Sequence, residues 1–412
     1  MKNEPKIRIK GFEGEWKETT LSDIATFSKG HGYSKNDLTN EKGSIPIILY
    51  GRMYTKYEAV ITEVDTFAYL RPNSVLSEGN EVIVPGSGET AEDISIASAI
   101  CSEGIIIGGD LNILKPNKRI FPPFLALNIT NSQAHYELST KAQGKTIVHL
   151  HNNDFKDVHI SFPSLREQHA IATYFRHLDS LIETADKKLA SLKQVKEASL
   201  QTMFPQEGES MPKVRFKGFV GEWKTVQLCN CLEVSKERNT ENKYGIDDVL
   251  SVSDDNGVTN QIELLGRSFA GKSVSNYGIL HEGEIVYTKS PLKSKPFGII
   301  KRNNYKTGIV SVLYAIYKPH KDISSAYIHY YFSPAWRLNN YIHPLVNKGA
   351  KNTMNISDET ALMGYIPLPP TLSEQRKLAS FFVHLDKQIE LAQQRVALLR
   401  RIKSACLDEM FV

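Results

Sequence analysis

The sequence predicts an α+β fold. Two globular domains of short strands and helices are each followed by one long helix, and the two helices pair as an antiparallel coiled coil. Three observations carry this. The chain repeats itself at an offset of 207 residues. Each repeat closes on a 41-residue stretch with an unbroken apolar seam. The middle of each repeat consists of short β-branched and aromatic runs bounded by Gly, Pro, Asn and Asp.

The repeat is clearest at its ends. Residues 164–204 and 371–411 align without a gap and are identical at 18 of 41 positions. Residues 5–17, PKIRIKGFEGEWK, return as 212–224, PKVRFKGFVGEWK, identical at 10 of 13. The chain is therefore a tandem duplication of a unit of 207 residues. The expected boundaries are a first domain at 1–162, a first helix at 163–204, a polar joint at 205–211, a second domain at 212–369 and a second helix at 370–412.

Each closing stretch reads as one helix. Pro163 and Pro370 precede it, where a missing N–H costs nothing. Ser164 and Thr371 are N-cap types, with Glu167 and Glu374 three residues on, the pattern of a capping box. Apolar residues then recur at alternating gaps of four and three: Ile171, Phe175, Leu178, Ile182, Ala185, Leu189 and Leu192, then Leu378, Phe382, Leu385, Ile389, Ala392, Val396 and Leu399. That is a coiled-coil seam. Lys196 and Lys403 break the strict repeat, and Val195 and Ile402 are expected to take over one position earlier. Such a helix is about 58 Å long at about 1.5 Å per residue, too long for the core of one compact domain. Pairing of the two helices with each other is favoured over each packing on its own domain. Antiparallel pairing would make the helix length a ruler between the two domains.

The middles, 30–145 and 237–352, share texture but little sequence. SIPIILYG, EVIVPGSG, GIIIGG, GEIVYTK and GIVSVLYAIY read as strands, and the segments beginning at Pro122 and Ser324 as helices. A duplicated scaffold with divergent middles suggests two modules holding two different ligands.

Composition narrows the class. With 41% hydrophobic and 23% charged residues the chain reads as globular, and 412 residues suit two or three domains. No apolar run is long enough to span a membrane, and the N-terminus lacks the apolar core of a signal peptide. Cys101, Cys229, Cys231 and Cys406 form no CxxC pair, which suits the reducing cytosol and neither a zinc ribbon nor a disulfide framework.

Net charge is only +4, so a nucleic-acid surface would need local clustering. From Ile285 to Ser357 there are eleven Lys or Arg and one acid, Asp322, with Tyr287, Phe297, Tyr305, Trp336 and Tyr341 interleaved. Phosphate contact plus base readout requires that mixture; a solvated basic face is the alternative. The candidates are Lys289, Ser290, Lys293, Lys295, Arg302, Lys348, Lys351 and Asn352. In the first half, residues 78–150 hold eight acids and five bases, and the basic and aromatic candidates lie earlier: Lys29, His31, Tyr33, Lys35, Arg52, Tyr54 and Lys56, with Tyr57 beside them.

No catalytic set is visible. GRSFAGKS, from Gly266, matches the phosphate-loop pattern, but VSNYGILHEGE follows where a helix is required. Phe121-Pro122-Pro123-Phe124 has the outline of a base-methylation loop with Phe in place of its polar residue. Pro85-Gly86-Ser87-Gly88 and Gly108-Gly109-Asp110 are too isolated for a cofactor loop. There is no HExxH, and His177 and His384 lie beside the seam. No cofactor or metal is expected.

The whole chain, from Pro5 to Phe411, resembles the specificity subunit (HsdS) of type I restriction–modification systems. Its marks are PSLREQHAIA, Pro163 to Ala172, and PTLSEQRKLA, Pro370 to Ala379, together with YGILHEGEIVYTKSPL from Tyr277. The resemblance implies a non-catalytic cytoplasmic subunit. Each variable domain would be a target-recognition domain reading one half of a split double-stranded DNA sequence. The helices would form an antiparallel spacer docking two methyltransferase subunits, and two motor-nuclease subunits would join in the restriction enzyme. No family motif marks DNA-contacting residues, so the candidates above rest on charge and composition. A coiled-coil interaction protein without DNA binding, and a phosphate-loop NTPase, are the alternatives.

Overall fold

A computed structural model describes residues 3–271, 273–291, 295–348 and 354–412, with 347–348 and 354–355 described as backbone. The chain forms two compact units. One comprises Met1–Asp186 with Gln394–Val412, the other Lys187–Gln393. The division runs through both long helices, Leu165–Thr202 and Leu372–Met410.

In the first unit the main sheet has five strands, in the order Ala25–Lys29, Leu111–Pro116, Glu81–Pro85, Ser98–Ile100, Val60–Ile61. The first three junctions are antiparallel and the last parallel. Glu81–Pro85 is buried along its length, as a central strand rich in Val and Ile should be. A second, four-stranded sheet is built around Ile45–Ile48 and Glu103–Ile107. Pro122–Asn131 and Gln133–Lys141 are helical, with Ser132 capping the second.

In the second unit a four-stranded antiparallel sheet runs Leu232–Val234, Ala315–Pro319, Ile285–Tyr287, Ile300–Arg302. Helices Ser325–Tyr331 and Ala335–Ile342 follow it, broken at Pro334, where the ring forbids continuation of the first helix. In both units the strand opening the repeat pairs antiparallel with the strand leading into the long helix. These are Lys17–Thr20 with His159–Phe162, and Lys224–Gln227 with Tyr365–Leu368.

Segments of the long helices complete each core. In the first unit residues 165–186 lie antiparallel to 394–410. Tyr174 is within hydrogen-bond reach of the Cys406 thiol (3.3 Å), Lys403 Nζ reaches Asp179 (2.5 Å) and Arg400 reaches Asp186 (2.8 Å). Phe411 packs on Trp16, Phe124 and Phe175, with ring centroids 5.9–6.5 Å apart. In the second unit Lys196 Nζ reaches Asp386 (2.5 Å). Phe204 packs on Trp223, Tyr327, Tyr331 and Phe382, centroids 5.6–6.5 Å apart.

The seam residues are buried or half-buried, as their spacing requires. Two local expectations fail. Val195 and Ile402 do not take over the seam and are exposed. Lys196 and Lys403 keep their places half-buried, because each long stem lies along the apolar seam while its ammonium reaches an aspartate of the other helix. The capping boxes are also only half made. Ser164 and Thr371 accept from the amides of Glu167 and Glu374 (3.4 and 3.2 Å). The glutamate side chains are turned elsewhere: Glu167 accepts two bonds from Arg8 (2.8 and 2.8 Å) and Glu374 two from Arg215 (2.6 and 2.8 Å).

Candidate nucleic-acid interface

The first-unit candidates divide into two groups. Lys29, His31, Tyr33 and Lys35 belong to the end of strand Ala25–Lys29 and the loop after it. The glycines allow this loop to lie tightly on the sheet: a Cβ at Gly30 would fall 2.0 Å from the Gly108 carbonyl oxygen. Tyr33 takes a left-handed φ of 61°, rare for a bulky residue and costly enough to need fixing by neighbours. Its hydroxyl donates to the Tyr69 carbonyl at 2.9 Å, and the Arg71 guanidinium sits 4.6 Å from its ring centroid. His31, Tyr33, Arg71 and Asn73 line a recess of about 280 Å³. Lys29, His31 and Lys35 are exposed beside it.

The second group is structural. Arg52 is only 8% exposed, pairs with Glu58 (2.7 Å) and Asp65 (2.6 Å), and donates to the Glu63 carbonyl. Lys56 pairs with the same Asp65, and the Tyr54 hydroxyl donates to the Ser87 carbonyl at 2.6 Å. These contacts pin the loop after Ile45–Ile48 to the domain.

The basic window of the second unit is largely spent inside it. Lys289, at a left-handed φ of 53°, pairs with Asp358 (2.6 Å). Lys295 and Lys301 share Asp254, at 2.7 and 3.0 Å. Burial acts to raise the Asp254 pKa, but the Lys295 hydrogen bond and the Lys301 charge outweigh it and hold the carboxyl below its usual value of 3.8. Burial lowers the Lys301 pKa against the attraction of Asp254. Arg302 donates to Ser325 and Asn304. Arg337 is buried and donates to the Tyr331 and Leu200 carbonyls. Ser290 is exposed, as are Lys306, Lys318 and Lys321. Lys293, Lys351 and Asn352 lie outside the described residues, as does the side chain of Lys348.

Asp254, Lys295, Lys301 and Arg302 form one wall of a cleft of about 1420 Å³, with Trp336 at its rim. The helix residues Lys193, Lys196 and Lys387 face it, and so do Asp255, Glu197, Asp386 and Glu390. Six cations and five carboxylates line it, so its field is close to balanced. His329, beside it, is held neutral. Burial, then the charges of Lys301, Lys196 and Arg302, push its pKa down to about 3.

Lys272 of the GRSFAGKS segment lies outside the described residues, and the described part has no phosphate-loop geometry. It leaves a helix, Gln261–Leu265, whose C-cap is Gly266 in the left-handed region (φ 75°), and no helix follows Ser273. Its tip is ordered by Gln261, whose side-chain oxygen accepts from the Phe269 amide (2.7 Å) and the Ser268 hydroxyl (3.2 Å). Phe269 is 59% exposed, with the Arg267 guanidinium 4.6 Å from its ring centroid. Among the described residues there is no cluster of three or more metal-ligating side chains, and no helix long and apolar enough to cross a membrane.

Residues 13–194 match the family model for the type I restriction modification DNA specificity domain. Over that stretch the chain is similar to the type I restriction–modification DNA specificity family. Among relatives, it is 23% identical over 327 residues to the specificity subunit assigned to the MjaX type I restriction enzyme of Methanocaldococcus jannaschii, covering 74% of this chain and 71% of that one. It is 22% identical over 171 residues to the MjaVIII specificity subunit of the same organism, covering 41% and 39%. Its fold is that of the type I S subunit from M. genitalium, with a TM-score of 0.59 over 99% of both chains at 14% identity.

Several exposed side chains leave no pattern in the sequence. Arg71 and Asn73 lie 36 or more residues beyond the loop they join. Arg267 and Phe269 were hidden inside a motif that resembles something else. Lys193 and Lys387 lie on the long helices, where charge between seam positions is expected of any coiled coil.

Proposed function

We propose that this chain reads a bipartite DNA sequence, one half-site per unit, as the non-catalytic cytoplasmic specificity subunit of a type I complex. The observation that carries the reading is one frame built twice around different surfaces. Arg8–Glu167 and Arg215–Glu374 are equivalent bonds 207 residues apart, as are Asp179–Lys403 and Asp386–Lys196. The sheet order 25–29, 111–116, 81–85, 98–100 corresponds to 232–234, 315–319, 285–287, 300–302. The sequences of 30–145 and 237–352, which supply three of these four strands in each unit and the loops between them, differ.

The same pairs support a tandem duplication whose helices form an antiparallel coiled coil. Within that reading residues 1–162 and 212–369 are the target-recognition domains, and 163–204 and 370–412 the spacer helices. Two methyltransferase subunits would dock on the shared frame, and two motor-nuclease subunits would join in the restriction form. The exposed residues Lys29, His31, Lys35 and Ser290 and the half-buried Tyr33 would face DNA, with Lys293, Lys348, Lys351 and Asn352 completing the second set. Lys289, Lys295, Arg302, Arg52, Tyr54 and Lys56 would act indirectly, by holding the loops.

Exchange of residues 237–352 for those of another family member tests this. Methylation mapping should then show one half of the modified sequence changed and the other intact. A change in both halves, or in neither, overturns the assignment. Absence of DNA binding by the assembled complex would leave an interaction scaffold.

A further inference from the structure

The segment Gly266 to Gly271 is a loop whose exposed Arg267 lies over the exposed ring of Phe269. Three features make it a display rather than slack. Gly266 terminates the preceding helix in a conformation that few other residues adopt. Gln261 holds the amide of Phe269 and the hydroxyl of Ser268, and that hydroxyl in turn accepts from the Ala270 amide at 3.3 Å. Ala270 packs against the small core of Val249, Val274, Ile279 and Ile309. The loop is thus anchored on both sides of its tip while Phe269 points away from the core. Leu265, at its root, is 49% exposed.

The charge pattern is equally one-sided. Among the described residues Arg267 forms no ion pair. The acid on the neighbouring helix, Glu263, is occupied by the Tyr305 hydroxyl at 2.9 and 3.0 Å. The guanidinium is exposed beside the ring, and a guanidinium carries a planar fork of N–H donors suited to bidentate bonds. A flat donor edge of this kind matches the O6 and N7 acceptors of guanine in the major groove, and Phe matches the methyl group of thymine. The first unit also places an arginine over an aromatic ring, Arg71 at 4.6 Å from the centroid of Tyr33, but there the guanidinium is tied to Asp37 and the ring is half-buried.

We propose that Arg267 and Phe269 are specificity-determining residues of the second unit, contacting base edges rather than phosphates. The proposal rests on the DNA-reading function above and names the side chains that perform it there. Arg267 donates to guanine, and Phe269 covers a thymine methyl or the adjoining base step. Phosphate contacts position a protein on DNA, whereas such base contacts decide sequence.

The test is methylation mapping in cells carrying the complete system with Arg267→Ala, Arg267→Lys or Phe269→Ala, together with duplex binding by the assembled complex. The half-site of the second unit is first located by exchanging residues 237–352. Both Arg267 variants should relax one or two positions of that half-site, with discrimination there falling on the order of tenfold, while the other half-site is unchanged. Lysine keeps the charge and loses the fork, so it should behave as alanine does. Replacing the contacted thymine by uracil should weaken wild type and leave Phe269→Ala unaffected. Val220→Ala, at a side chain 83% exposed outside the loop, is the control and should leave the methylated sequence as it is. An unchanged motif in all three variants overturns the proposal. So does a uniform loss of affinity on every sequence that Arg267→Lys restores, since that marks a phosphate contact. Thermal unfolding of each variant at the wild-type temperature excludes misfolding as the cause. A wild-type complex that neither binds nor methylates DNA would refute the function itself, a separate result.

Discussion

Arg8 and Glu167 are 159 residues apart and share two hydrogen bonds of 2.8 Å, with the carboxylate only 3% exposed. The same guanidinium donates to the carbonyls of Glu13 and Gly14. It thereby ties the opening segment of the repeat to the first turn of the long helix. Arg215 does the same with Glu374, Val220 and Gly221. The two stretches most alike between the halves are thus the two sides of one clamp.

Breaking that clamp on one side leaves a buried charge without its partner. Arg8→Ala is expected to destabilise the first unit by about 3–5 kcal/mol, read by denaturant unfolding. Replacing both residues with Met should cost less than either single change. A double variant as unstable as the singles would contradict this.

The helix–helix ion pairs should matter far less. Lys403 and Asp179 are 25% and 43% exposed, so Lys403→Met is expected to cost at most about 1 kcal/mol. That difference should shrink further in 1 M salt, where the screening length falls to about 3 Å. A larger loss that persists at high salt would show that the pair is not a screened surface contact.

Phe204→Ala should be severe. Its ring is fully buried among four aromatics, and emptying that site is expected to cost about 3–5 kcal/mol. Limited proteolysis should then cut the second unit first. Cleavage confined to the first unit would contradict the packing described.

Acid should unfold the second unit. The folded pKa of Asp254 lies below 3.8, so its contribution is present above that pH and is lost as pH falls through the folded value. His329 takes up no proton in the folded state until about 3, against 6.5 when unfolded. Its neutral form therefore favours folding above about 6.5, and stability drains away from there toward 3. His329→Gln should flatten the stability profile between those values. An unaltered slope would place the acid sensitivity in other groups.

The spacer reading makes a further prediction. Seven residues inserted in both helices, after Leu189 and Val396, keep the seam in phase. Each helix gains about 10.5 Å, so the recognised gap should lengthen by roughly three base pairs and binding should weaken. The original gap at full affinity would end the ruler idea.

What the sequence made legible was periodic or repeated. The seam from Ile171 to Leu192, the helix limits and the strands around Ile45, Glu81 and Ile285 follow from spacing alone. Pairing between distant polar residues leaves no such trace. Glu167 therefore looked like half of a capping box, and Lys196 like a fault in the seam. Counting charge had the same weakness. Lys289, Lys295, Lys301 and Arg337 add to a basic window on paper, yet each is turned inward, to an aspartate or, for Arg337, to buried carbonyls. The Arg267–Phe269 stack was obscured by a pattern match whose required helix is absent.

The second unit is one continuous run of chain, whereas the first is assembled from both ends. Phe411 and Met410 belong to the core that contains Trp16 and Phe124. During synthesis the domain that leaves the ribosome first must therefore wait, its core open, for residues 394–412, while the domain made later can already have closed. A frameshift or stop codon near Gln394 would damage the fold of the unit that begins the protein, not that of the unit encoded just before the lesion.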